Sequence, residues 1–449
     1  MTKLRYVKGN IVNIVGGKTK IFANEIEISS NKNIIYNAPK HSHGEPEDPP
    51  KKVSKTRVKE IELLTSLDDG SKNDKSGGLQ KGFVFDKTYE FKVKSYSNGA
   101  PVATSLIKWL IKYHSPAQNK WIETPLNVKG DNVKITLNEK EMCGRIVSVR
   151  AYIDDPETEG ELKKWKHNRF RWFDRMLVED EINERTDNRK PWLVNQSGTS
   201  LCGMACIFYL FAKDQPKAYS KFAKELFRKG EATFNKYTVK PSIEVLEKNI
   251  GTLKKKVVAI NTGGMPLVDF LTMAGTRNTD NPKYKGGEEE FQAINWPPLM
   301  TDLCEKLLGY KDVSSKGIYN PVKSLVYTDF DIESKIEDIN KQIVNGYKLI
   351  LMIDSDLIAD HWDVSSLDLH WVVLESEIKE VEMLDENGRT VHRLDFRVYS
   401  WGTNPNGDKA LILNTKTGKM EENVEYRYLK RPITKTHFMN NYNGYIKIK

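Results

Sequence analysis

Apolar residues in the first part of the chain come in short runs broken by polar and glycine positions, which predicts strands rather than helices. Between Tyr6 and Tyr36 the runs are Ile11-Val12, Ile14-Val15, Ile21-Phe22, Ile26 with Ile28, and Ile34-Ile35, with Gly16-Gly17 as an obvious turn. Such segments are too small to bury much by themselves. Residues 37–52 are rich in Pro, Gly and charge and predict an extended linker. Period-two alternation then returns over residues 58–64, 88–94, 105–113, 133–137 and 146–153, the pattern of a two-sheet sandwich around Trp109. Between the first two of these, residues 68–79 hold mainly Gly, Ser, Asp and Lys and read as a disordered loop.

Beyond about residue 183 the period changes, and helical spacing alternates with strands. Residues 201–211 form an apolar run that predicts a buried helix, with Ser200 or Thr199 as its N-cap. Further helices are expected over 218–228, 241–248, 298–308 and 331–345, the last closed by Gly346. A buried strand over 347–354 precedes a Val-rich strand at 372–374, and after the turn Asp385-Glu386-Asn387-Gly388 a second strand returns over 396–402. The polar stretch 276–287 reads as a surface loop. The expected organisation is a β segment and linker over 1–52, a β-sandwich over 53–155, a linker over 156–182 and an α+β domain over 183–449.

Candidate chemistry concentrates at two places. Cys202 opens the apolar helix, where the helix dipole favours a thiolate, and Gln196 stands six residues before it with an amide able to donate to an oxyanion. Cys206, one turn on, reads as a structural core thiol. Far downstream His370 heads the Val372-Val373-Leu374 strand, which would hold its ring rigidly; His361-Trp362 is the competing pair. Cys, then a distant His at a strand start, then an aromatic Ser-Trp-Gly run resembles papain-like cysteine peptidases. That resemblance spans the α+β domain and implies Cys202 as nucleophile, His370 as base and later acid, and Gln196 as oxyanion donor. The family's orienting Asn or Asp falls at Tyr399 here, so the third role stays open among Ser400, Asn404, Asp395 and a backbone carbonyl.

The remaining composition narrows the partners. A net charge of +9 spread over 61 acidic and 70 basic residues, without a nucleic-acid motif, speaks against DNA or RNA. No apolar run is long enough for a membrane span, and the N-terminus lacks the apolar core of a secretory signal, so synthesis in the bacterial cytoplasm and export without a cleavable signal peptide are expected. The four cysteines have no metal-ligand spacing and His41-Ser42-His43 reads as solvated, so no metal or cofactor is expected. The first forty or so residues resemble proteins of Bacteroidetes-type bacteria that ride on the spike of a type VI secretion system, and the sandwich resembles an immunoglobulin-like domain.

Together these resemblances imply an antibacterial effector toxin with cysteine protease activity. It would dock on a secretion spike protein through its N-terminal segment, act on protein in a target cell and be held in check by a cognate immunity protein. Three alternatives remain open: a deamidase or transglutaminase, a peptidoglycan amidase, and a non-enzymatic spike accessory or binding protein.

Overall fold

In the Thr88–Tyr96 strand every second side chain (Tyr89, Phe91, Val93) is buried and the intervening ones are not, the signature of a strand with one wet face. The structure is a computed structural model and describes residues 8–12, 15–21, 23, 25–35, 37, 55–249, 265–287, 290–318, 329–358, 369–401, 411–414, 419–422 and 432–449. The fold is mixed α/β with several sheets, and the chain divides into two compact units, Met1–Thr56 and Arg57–Lys449.

In the first unit none of the described residues is in a strand, and Ile11, Val12, Ile21, Ile28 and Ile35 are all exposed, whereas Ile14, Phe22 and Tyr36 of the expected runs lie outside the described residues. Isolated runs of two or three apolar residues have neither partner strands nor a core to bury in, and unpaired hairpins are marginal in water. The expected linker and His41 and His43 lie outside the described residues, apart from Asn37.

The second unit begins with nine strands: β1 (Val58–Leu63), β2 (Asp68–Ser71), β3 (Leu79–Gly82), β4 (Thr88–Tyr96), β5 (Lys108–Ser115), β6 (Lys120–Lys129), β7 (Asn132–Thr136), β8 (Arg145–Tyr152) and β9 (Gly160–Lys166). Seven of them build two antiparallel sheets, β1-β4-β7 and β6-β5-β8-β9, and β2 and β3 pair apart from these. Both sheets feed one core in which Phe91 and Tyr89 meet Trp109, Ile111 and Val149, and the buried Trp109 donates Nε1–H to the Gly130 carbonyl at 2.8 Å. Two expectations change here. Residues 68–79 are not simply a loop, since both ends pair as the β2-β3 hairpin. Residues 156–182 are not a linker, because they hold β9 and the start of helix α1 (Arg175–Thr186), capped by Asp174.

Two more labelled helices follow, α2 (Cys202–Asp214) and α3 (Pro216–Lys229), the latter closed by Gly230 in the left-handed conformation. Every residue of α2 from Gly203 to Ala212 is buried, as expected of a helix apolar on all sides. Short pieces β10 (Ala232–Phe234) and β11 (Tyr237–Val239) pair as a hairpin, and helices at Pro297–Lys306 and Asp329–Val344 follow near their expected places. Gly346 has φ +81, the helix-terminating geometry anticipated for it. The stretch expected as a polar surface loop instead begins with the Gly275–Asp280 helix, in which Thr276, Arg277 and Asn278 are buried.

The C-terminal sheet takes its strands from distant places: β12 (Val313–Lys316), β13 (Lys348–Asp354), β14 (Leu369–Leu374), then after the hairpin β15 (Lys379–Leu384) and β16 (Thr390–Asp395) a short β17 (Val398–Tyr399), and after the hairpin β18 (Leu411–Asn414) and β19 (Lys419–Glu422) the terminal β20 (Tyr442–Ile448). Its order is β12-β20-β13-β14-β17, antiparallel throughout. The Asp385–Gly388 turn joins β15 to β16 and not β14 to the Ser-Trp-Gly strand; that strand reaches β14 only through β17, with Val373 opposite Tyr399. Helix α2 packs on β14, and their side chains share one core with Met352, Trp371 and Tyr399.

Candidate active site

The site grows from the contact between α2 and β14. Helix α2 starts at Cys202 itself, with Leu201 at the N-cap position and no side-chain cap, so neither Ser200 nor Thr199 plays the expected part. Thr199 Oγ1 donates instead to the Gln196 carbonyl at 2.8 Å, tightening the turn that leads into the helix. Gly203 is required by packing: a Cβ there would come within 2.5 Å of Met300 Sδ and 2.6 Å of Asn295 Cβ. Asn295 fills that space and ties the two halves of the site. Its Oδ1 accepts from the Met204 amide at 3.2 Å, and its carbonyl accepts from Trp371 Nε1 at 2.9 Å. The residue two beyond Cys202 and the residue next to His370 are thus anchored on one side chain and its own backbone.

Of the four cysteines only Cys202 is partly exposed; Cys143, Cys206 and Cys304 are buried and their thiols are pushed up by desolvation, so they stay protonated and inert. His370 is 8 % exposed, and burial pulls its imidazole down to about 3. Its Nε2 lies 3.2 Å from Ser400 Oγ, and its ring sits against Trp401 with centroids 3.7 Å apart. With Nε2 engaged by Ser400, Nδ1 is the nitrogen left for chemistry.

Of the candidates for the orienting role that are among the described residues, Ser400 is brought onto the imidazole. Tyr399, in the position where an amide was looked for, turns into the core, stacks on Tyr209 at 3.7 Å and donates its hydroxyl to the Val194 carbonyl at 2.7 Å. Asp395 ends β16 opposite Lys379, away from the five-stranded sheet. Asn404 and the competing His361 lie outside the described residues.

Gln196 is 5 % exposed, and among the described residues its Oε1, an acceptor, has no hydrogen-bond partner. The loop before it is held by groups that sequence reasoning missed. Arg185 and Asp269, both essentially inaccessible, pair at 2.6 Å. Arg185 Nη2 also donates to the Leu193 carbonyl at 2.9 Å, and Asp269 Oδ2 accepts from the Asn195 amide at 2.9 Å. With the Tyr399 bond, three consecutive residues before Gln196 are pinned by buried side chains. Ser197, next in line, takes φ +55, a left-handed conformation uncommon for a non-glycine, supported by its amide donating to Asn195 Oδ1 at 2.7 Å.

Among the described residues no group of His, Cys, Asp and Glu could hold a metal ion, and no helix is long and apolar enough to cross a membrane. Compared with known proteins, the chain matches no family model, no curated protein and no solved structure.

Proposed function

We propose that this chain is a papain-like cysteine hydrolase in which Cys202 attacks an amide carbonyl. The observation that supports the reading is that a helix opened by a partly exposed thiol packs on β14, the strand that carries a buried imidazole held by Ser400 and Trp401. As Sγ bonds to the carbonyl carbon, its proton passes to His370 Nδ1, and the amide of Gln196 donates to the oxyanion. The imidazolium then protonates the leaving amine, leaving a thioester. Water, deprotonated by the same nitrogen, hydrolyses it and returns the thiol. Ser400 acts as a positioning residue, fixing the ring through Nε2.

The two-sheet region suits an immunoglobulin-like spacer, and the first unit, with its row of exposed Ile and Val, suits a delivery segment that gains strands from a secretion spike. On this reading the chain is an antibacterial type VI effector whose target is protein, opposed by an immunity protein.

The test is a comparison of Cys202→Ala with Cys206→Ala, each expressed in the cytoplasm and, with an added export signal, in the periplasm. Toxicity lost only in Cys202→Ala is expected, with new peptide termini rather than released ammonia in the target. Toxicity retained by Cys202→Ala contradicts the assignment. Ammonia release moves the activity to deamidation, and toxicity confined to the periplasm moves it to peptidoglycan.

A further inference from the structure

Away from the Cys202 seam, a cavity of about 360 Å³ opens where the strand β8 begins and the helices α1 and α3 pass. Its size is that of a small-molecule site. Its floor is apolar, with Val178 and Phe227 buried, while Arg145, Lys221 and Lys224 stand on its walls. Three further cations there are already compensated: Arg175 pairs with Glu179 at 2.9 Å, Arg228 with Glu141 at 2.9 Å, and Lys229 with Glu225 at 2.9 Å.

The other three are not. Lys221 and Lys224 pair with no carboxylate among the described residues, and the guanidinium of Arg145 donates only to the carbonyl of Gly144, at 2.8 Å. Arg145 is half-buried, and its charge is disfavoured by burial first and by the Arg228 guanidinium next, with Glu141 and Glu179 offsetting part of this from a distance. Glu179 and Glu225 also line the cleft but are engaged by Arg175 and Lys229, so the two solvated ammonium groups and the half-buried guanidinium leave a net positive field over an apolar surface, which favours an anionic ligand.

We propose that this cleft binds a small phosphorylated molecule, its phosphates on Arg145, Lys221 and Lys224 and its less polar body against Val178 and Phe227. Guanidinium and ammonium groups suit phosphate oxygens, Arg by its fork and Lys as a point charge. The site is separate from the proposed hydrolase chemistry and stands or falls without it.

The experiment is a titration of the full chain with ATP, inorganic tripolyphosphate and adenosine, at an ionic strength fixed with sodium chloride, read by calorimetry and by thermal unfolding. ATP and tripolyphosphate are expected to bind and to raise the unfolding temperature, adenosine alone to do neither. Lys221→Glu with Lys224→Glu, both exposed, is expected to weaken both anions roughly tenfold or more while leaving the alkylation rate of Cys202 unchanged. Arg145→Gln provides a second, charge-neutralising variant with the same expected direction. Tripolyphosphate binding as tightly as ATP upholds the site and confines recognition to the phosphates. Failure of both anions to bind above the chloride background, binding that survives the charge reversal, or adenosine binding as tightly as ATP overturns it.

Discussion

His370 shows what single side chains in this chain are asked to do. Its ring is buried with Ser400 on one nitrogen and Trp401 against its face, and desolvation disfavours the imidazolium. An imidazole with an ordinary value near 6.5 when unfolded and about 3 when folded binds fewer protons in the native state between those limits. Stability it contributes is therefore fully present above about pH 6.5 and is lost as pH falls toward 3, by up to about 1.4 kcal/mol per unit. Denaturant unfolding of wild type and His370→Gln at pH 7 and pH 5 checks this, and the wild type should lose more on acidification. An equal loss in both proteins would mean that folded His370 protonates freely. Cys202, His370 and Gln196 could be proposed from sequence because the roles of nucleophile, base and oxyanion donor call for particular residue types at particular places. Ser400 could not be singled out, because Tyr399 occupies the expected place and only the folded strand shows which neighbour reaches the ring.

Among elements, the loop from Pro191 to Gln196 owes its shape to partners far away in sequence. Arg185 and Asp269 lie 84 residues apart, and no local pattern announces that they meet in the core to hold Leu193 and Asn195. Breaking such a pair leaves a buried charge alone, so Asp269→Ala should cost about 3–5 kcal/mol in denaturant unfolding. Replacing both partners with apolar residues, Arg185→Met with Asp269→Leu, should recover much of that stability. It should still leave turnover low, because nothing then pins the loop that presents Gln196. Full activity in the double variant would reduce the pair to a core feature. Strand β6 escaped sequence reading for a related reason: Pro125 interrupts it and it buries none of its residues, so no alternation is visible. The Gly275–Asp280 helix hid behind polar residues that are buried because each has a backbone acceptor, Thr276 on Thr272, Arg277 on Ala293 and Asn278 on Tyr284.

Across the whole molecule, the alternating strands of the sandwich and the helix-strand order of the C-terminal region were readable because large cores impose regular periods. In the first unit β-branched pairs carry strand propensity whether or not a partner exists, and its described residues hold no strand. Residues 57–449 form a compact unit with their own cores, whereas the described residues of the first 56 contribute none. Fragment 57–449 should therefore unfold cooperatively at nearly the temperature of the full chain and keep Cys202 reactivity, while failing to co-purify with a secretion spike. Spike binding equal to that of the full chain would take the delivery role away from the N-terminal unit.

On the proposed reading the nucleophile comes from the helical side and the base from the sheet, so their partnership depends on the entire second unit. Its measure is the pH profile of Cys202 alkylation by iodoacetamide, mapped cysteine by cysteine in wild type and His370→Ala. One proton shared between sulfur and imidazole makes the wild-type rate nearly level between about pH 5 and 7, whichever atom carries it. Without the imidazole the rate should fall at neutral pH and climb about tenfold per unit, as an ordinary thiol with pKa near 8.5 does. Cys143, Cys206 and Cys304 should stay unlabelled until the protein unfolds. A wild-type profile already rising tenfold per unit and unchanged in His370→Ala would contradict the pairing of Cys202 with His370.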